Sequence, residues 1–215
     1  MIVGLTGPAR CGKNTIADHL VDTYGFTRIA FSDALYKEVA EAFDVPESRL
    51  RNEETKDAKM LGFALRWSAD KEFVLAVARA FDWVGSSVEA EAARSPREIL
   101  QWWGTEYRRA QDPDYWVKRC AEQMCRIAGD GGDIHEARVA VDGVRFPNEE
   151  AYLRSLPGFE MWHIYRADAP QVAGHASETE QKRITVDVER DAVIQNNGTI
   201  LQLWAIVDKL VKGRI

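Results

Sequence analysis

Gly7, Gly12 and Lys13 have the spacing that most directly suggests chemistry in this chain. In "GLTGPARCGKNTIA" (residues 4–17), the glycines of Gly-x-x-x-x-Gly-Lys let the backbone wrap tightly, with Arg10 and Cys11 among the residues of a nucleotide-binding loop. Its N–H groups, with the N-terminus of the following helix, then point at β- and γ-phosphate oxygens. Lys13 adds a point charge on a transferring phosphoryl group. The position after the lysine is Asn14, where Ser or Thr is usual, and Thr15 comes one residue late. Mg²⁺ prefers hard oxygen ligands and keeps several waters, so the Asn14 amide oxygen or a water it holds can replace the hydroxyl. Thr15 can still donate to an α-phosphate.

Asp33 and Lys37 lie one helical turn apart just after a second short apolar run, at the mouth where ligands of parallel sheets bind. A carboxylate there can orient an acceptor group or a metal-bound water, or simply complement a helix dipole, and Lys37 can meet a phosphate. Asp142 ends the apolar run 137–142, which suits a carboxylate that holds Mg²⁺ directly or through water; Arg145 follows closely and can grip a phosphate bidentately. Trp102, Trp103, Glu106, Tyr107, Arg108 and Arg109 crowd one stretch. Each tryptophan alone suits a core, but the cluster could stack on a base and hold a monophosphate. His175, Ser177 and Glu178 lie in an irregular segment with Arg166, Lys182 and Arg183 at its ends, either a solvated loop or a basic segment that closes over phosphates. His19, His135 and His163 show no partner pattern.

The elements that must position these residues follow from periodicity. Ile2–Leu5 reads as a buried strand, and Ile16, Ala17 and Leu20 recur at helical spacing after the glycine loop. Thr27–Phe31 reads as a second strand; Ser32 is expected to cap a helix carrying Leu35, Val39, Ala42 and Phe43 on one face. From about 46 to 110 the sequence is polar and helix-favouring, with Ser95 capping a helix that has Pro96 first, and it reads as a helical insertion that binds substrate. Asp112-Pro113 should start a helix with Trp116, Cys120 and Met124 on one face. "GDGGDIHE" (129–136) is a loop; 137–142, Phe159–Tyr165 and Ile184–Val188 are candidate strands. After the turn "NNG", Ile200, Leu203, Trp204, Val207 and Leu210 mark a C-terminal amphipathic helix. Strands alternating with helices imply a three-layer α/β fold with a mostly parallel sheet, one domain over 1–215 with a lid at about 166–183.

At 215 residues and 46% hydrophobic composition the chain suits one such domain. Its net charge of -6 argues against a broad basic surface for a nucleic-acid polymer, while a small anion needs only a local patch. Three cysteines, Cys11, Cys120 and Cys125, form no metal-type or disulfide pattern and fit a reducing compartment. Ile2–Leu5 is too short for a signal peptide or membrane span, and no later run is long enough. A soluble cytoplasmic protein is expected.

Together, "GLTGPARCGKNTIA", "FSDALYKEVA", "SPREILQWWGTEYRRAQDPDYWV", "VAVDGVRFPNEEA", "HASETE" and "VIQNNGTILQL", in that order, resemble the bacteriophage-type deoxynucleoside monophosphate kinases of the P-loop kinase fold. In that family Asp-Thr commonly follows the loop lysine, so Asn14-Thr15 is a variant of a pattern already lacking the hydroxyl, with one charge fewer. The resemblance implies that Asp33, Lys37, Arg145 and residues 101–109 lie on the acceptor-nucleotide side. It further implies that the "HASE" segment is the lid and that Asn197 and Gly198 belong to the donor-base environment. ATP, Mg²⁺, a homodimer and, for a phage protein, the host cytoplasm are implied in the same way.

The expected reaction is transfer of the γ-phosphoryl of ATP to the α-phosphate of a deoxynucleoside 5′-monophosphate. Within kinases the rival is a dephospho-coenzyme A kinase-like enzyme, whose hydroxyl acceptor would require Asp33 as a general base. From another class the rival is a nucleotide-dependent switch or assembly ATPase.

Overall fold

Alternate residues of β1 (Ile2–Thr6) point to opposite faces of a sheet, and the whole strand is buried. Such a strand needs cover on both sides. The computed structural model of the chain describes residues 1–129, 132, 134, 137–168 and 183–214, and these form two units, 1–31 with 117–215 and 32–116.

The first unit is built on five parallel strands in the order β2-β3-β1-β4-β5, with β2 Thr27–Ala30, β3 Val139–Asp142, β4 Phe159–Tyr165 and β5 Ala192–Gln195. On one face Val3, Leu5, Ala140, Trp162 and Ile194 pack against α1 (Lys13–Tyr24) through Ile16, Ala17 and Leu20. The C-terminal helix (Ile200–Lys212) covers the same face through Leu203, Val207 and Val211. On the other face Ile2, Ile29, Val141, Phe159 and Met161 pack with Cys120, Met124 and Leu153. The three layers expected from the alternating pattern are therefore present. Val3 pairs with Ala140 and with Glu160, so β1 is central and its C-terminal end delivers the glycine loop between two neighbours.

The second unit carries helices and no strand. It contains α2 (Asp33–Phe43), α3 (Glu47–Arg51), α4 (Lys71–Ala80), α5 (Ser87–Glu91) and α6 (Pro96–Trp102), followed by a π-helical stretch, Trp103–Arg109. Its core is aromatic: Phe73 lies 4.6 Å from Trp103, and Phe43, Phe63, Tyr107 and Trp116 complete it. Ser95 caps α6 as expected, its hydroxyl accepting from the Glu98 amide while Glu98 accepts from the Ser95 amide.

Three local expectations change. Residues 184–188 are not a strand; Ile184 is a buried loop anchor, and the fifth strand comes later, where Ala192 and Ile194 face inward. Ser32 precedes α2 without a side-chain capping bond, and Asp33 supplies the first-turn charge instead. The helix expected from Asp112 begins after a turn, at α7 (Tyr115–Ala128), with Trp116, Cys120 and Met124 buried as anticipated. Most of the "GDGGDIHE" loop and most of the 166–183 segment, with His175, Ser177 and Glu178, lie outside the described residues. Among the described residues no helix is long and apolar enough to cross a membrane.

Candidate active site

The loop between β1 and α1 has the backbone its glycines foretell. Gly7 has φ +141°, and a Cβ there would stand 2.2 Å from the Ile164 carbonyl oxygen on β4. Gly12 has φ +110°, and its Cβ would meet Asn196 Nδ2 at 2.4 Å. The Ile164 backbone leaves no room for a side chain at Gly7, and at Gly12 a side chain would be strained by the positive φ and would displace the Asn196 amide. Asn196, just past β5, fastens the loop: its Nδ2 donates to the Cys11 carbonyl at 2.8 Å and its backbone N–H to the Tyr165 carbonyl at 2.7 Å. Arg10 at the exposed crest has φ +60°.

Lys13 curls back over the loop, its Nζ donating to the carbonyls of Gly7 at 2.7 Å and Pro8 at 2.8 Å. The charge expected at the phosphates is thus held over the cradle. Cys11 is fully buried beneath it; burial pushes its thiol up, and nearby Lys13 only partly offsets this. This thiol is a packing group. Thr15 borders a groove of about 490 Å³ between α1 and the C-terminal helix, where His19 stacks on Trp204 with centroids 5.2 Å apart.

Asp142, at the C-terminal end of β3, is mostly buried, and its two oxygens differ. Oδ2 pairs with Arg28 of β2, whereas Oδ1 is buried with no hydrogen-bond partner among the described residues. The same Arg28 Nη2 donates to Asn14 Oδ1 at 2.8 Å, and Nη1 to Asp18 Oδ1 at 2.7 Å. One guanidinium therefore joins the two residues expected to serve a metal. Just beyond, the Val144 N–H donates to the Leu5 carbonyl at 3.2 Å and its carbonyl accepts from the Thr6 hydroxyl at 3.0 Å. Buried Glu149 accepts from the Arg145 and Phe146 amides at 2.9 and 3.1 Å. These bonds fix the backbone of Arg145 while its side chain remains exposed.

In the helical unit, Asp33 pairs with Arg51 at 3.3 Å, and Lys37 is exposed. Trp103 is 2% exposed and is a core residue, its indole N–H donating to Glu38 Oε2 at 2.8 Å, so stacking on a ligand base does not fall to it. Trp102, only partly buried, lies against Phe81 and Trp83 with the Arg94 guanidinium 5.2 Å above its ring. Glu38 also accepts from Arg108 Nε at 2.8 Å and from the Tyr115 hydroxyl at 2.6 Å. Arg108 in turn lies 4.4 Å over Tyr107, while Arg109 donates to the Pro113 carbonyl at 3.1 Å. Glu106, within the π-helical stretch, has a buried Oε2 with no partner among the described residues, and burial pushes its carboxyl up. Short π-helical stretches are rare and concentrate at functional sites.

Asn197 Oδ1 accepts from the Ala167 amide at 2.8 Å, and a Cβ on Gly198 would meet Gln202 Oε1 at 2.3 Å. The structure thus brings together Gly7, Arg10, Cys11, Gly12, Lys13, Asn14, Asp142 and the Asn196–Gly198 turn. Nothing in the sequence singled out Arg28 or Glu38, and Asn196, read only as part of the "NNG" turn, was not expected to fasten the loop.

No family model matches the chain. A protein of Acanthamoeba polyphaga mimivirus described as "Putative deoxynucleotide monophosphate kinase" is 25% identical over 221 residues, spanning 95% of this chain and 93% of that protein. Among solved structures, a dephospho-CoA kinase from Campylobacter jejuni aligns at TM-score 0.46 and 16% identity over 99% of this chain and 96% of that one. A sugar kinase from Janibacter sp. HTCC2649 aligns at TM-score 0.44 and 15% identity over 98% and 94%.

Proposed function

We propose that the chain transfers the γ-phosphoryl of ATP to a deoxynucleoside monophosphate, giving ADP and a deoxynucleoside diphosphate. The observation that carries this reading is the glycine loop itself: two glycines at positive φ, one of them pressed against the Ile164 backbone, fastened by Asn196 and crossed by Lys13. The mimivirus relative, described as a deoxynucleotide monophosphate kinase and matched along almost its whole length, supports the acceptor class.

An oxygen of the acceptor phosphate attacks the γ-phosphorus while the bond to the β-phosphate bridging oxygen breaks, and ADP departs. The acceptor is already an anion at neutral pH, so positioning and charge neutralisation matter more than a strong base. Lys13 neutralises charge on the transferred group once it exchanges the Gly7 and Pro8 carbonyls for phosphate oxygens. Backbone N–H groups of the loop, Arg10 to Thr15, hold the β- and γ-phosphates. Arg145 adds a second cation; by the family resemblance Arg166 or Arg183 supplies a further one, and His175, Ser177 and Glu178 are assigned to the substrate side. Asp33 orients the acceptor and Lys37 meets its phosphate; Trp102, Glu106 and Arg109 of the helical unit select its base. Asn197 and Gly198 belong to the donor-base environment.

The oxygen chemistry fits Mg²⁺: Asp142 Oδ1 is a buried oxygen with no partner among the described residues, while the Asn14 amide oxygen accepts from Arg28 and would reach the ion through a water. No group of three or more His, Cys, Asp or Glu that could hold a metal occurs among the described residues. Bound there, Mg²⁺ would supply charge neutralisation between the β- and γ-phosphates. A homodimer is part of the proposal on family resemblance. Lys13→Ala is expected to lose turnover and weaken ATP binding with the circular-dichroism spectrum and melting temperature retained; full activity in that variant would refute the assignment.

A further inference from the structure

Arg28 hydrogen-bonds both Asn14 and Asp142, and the phosphate loop does not require it by sequence. Its place is set by β2: Arg28 pairs in register with Ala140 of β3, and Ala30 with Asp142, so its side chain runs along the strand ends toward the loop. Nη2 is shared between Asn14 Oδ1 and Asp142 Oδ2, and Nη1 is anchored on Asp18. Asp142 is thereby divided, with one oxygen committed to Arg28 and the other buried and without a partner.

We infer that Arg28 is a positioning residue that shares Asp142 with the catalytic cation: it fixes Oδ2 so that Oδ1 faces the cation's place, and its charge keeps that place weak until nucleotide phosphates arrive. This rests on the phosphoryl-transfer reading above. Two consequences follow from elementary electrostatics. A guanidinium in contact with a cation's carboxylate ligand repels that cation, and the Oδ1 site alone cannot offset the repulsion. Phosphate oxygens add negative charge and reverse the balance, so cation and nucleotide bind as a pair. Asn14 fits the same logic, because a neutral amide accepts from Arg28 without adding a carboxylate that would hold free cation.

The test is Mn²⁺ binding followed by electron paramagnetic resonance, on the free protein and on its ADP complex, in wild type, Arg28→Gln and Arg28→Lys, with no acceptor and no turnover. The expected result is that Arg28→Gln tightens Mn²⁺ binding to the free protein by about tenfold. Arg28→Lys, which keeps the charge, is expected to stay near wild type, and the extra gain on adding ADP should be largest in wild type. Equal or weaker Mn²⁺ binding by Arg28→Gln, or its absence, overturns the inference, and so does Arg28→Lys behaving like Arg28→Gln. Failure of the wild type to bind ADP with or without Mn²⁺ would instead remove the phosphoryl-transfer reading, while the free-protein titrations would still decide the role of Arg28.

Discussion

Asn196 holds the glycine loop from outside it, its Nδ2 donating to the Cys11 carbonyl at 2.8 Å while standing where a Cβ on Gly12 would fall. A residue 185 positions away in sequence thus sets the curvature of the loop. Because the cradle works by aiming backbone N–H groups, loss of that bond should cost affinity more than stability. Asn196→Ala is expected to weaken ADP binding by about tenfold, measured calorimetrically, with a stability loss of about 1 kcal/mol.

Glu106 combines a buried, unpartnered oxygen with a carboxyl pushed up by burial. A carboxyl raised in the folded state costs nothing below its unfolded value, about 4.3, and destabilises increasingly as pH rises through its folded value. Glu106→Gln should therefore raise the melting temperature at pH 8, by about 1 kcal/mol in stability, and leave it unchanged at pH 4. If the carboxyl reads the acceptor base, the same variant raises KM for the acceptor and leaves KM for ATP alone, the usual exchange of stability for function.

Asp191 shows the opposite sign. Burial pushes its carboxyl up, but Arg154, the Asp187 amide and His163 outweigh burial and hold it below its ordinary value of 3.8. Arg154 grips it at 2.7 and 3.0 Å, and His163 Nε2 lies 3.1 Å away. Stability from this group is complete above the unfolded value and is lost as pH falls through the folded one, so it fails only in acid. Asp191→Asn is expected to cost about 3 kcal/mol at pH 7 by urea denaturation, because it leaves Arg154 without its main partner, and the difference should shrink below pH 4.

The conformation of the loop was legible because its demand is local: a tight turn between strand and helix needs glycine where φ is positive, and Gly7 and Gly12 stand at those points. Asp142 was legible as a carboxylate ending an apolar run. Arg28 was not, since a lone arginine in an edge strand reads as solvated and only the parallel register of β2 on β3 brings it to Asp142. Glu38 sits on the polar side of an amphipathic helix, and nothing local marks it as the acceptor for Trp103, Arg108 and Tyr115. Trp102 and Trp103 are neighbours on one helical turn, where composition cannot say which faces the core. The fifth strand was misplaced because "ITVDV" alternates as well as "AVIQ" does, and only pairing with β4 chooses between them.

The identity of the acceptor is read by ADP formation from ATP and Mg²⁺ with each of dAMP, dGMP, dCMP, dTMP, their ribose counterparts and dephospho-coenzyme A. Turnover is expected with one or more deoxynucleotides, with only slow ATP hydrolysis when no acceptor is present. Silence across all the nucleotides, with signal from dephospho-coenzyme A alone or only acceptor-independent hydrolysis, would contradict it.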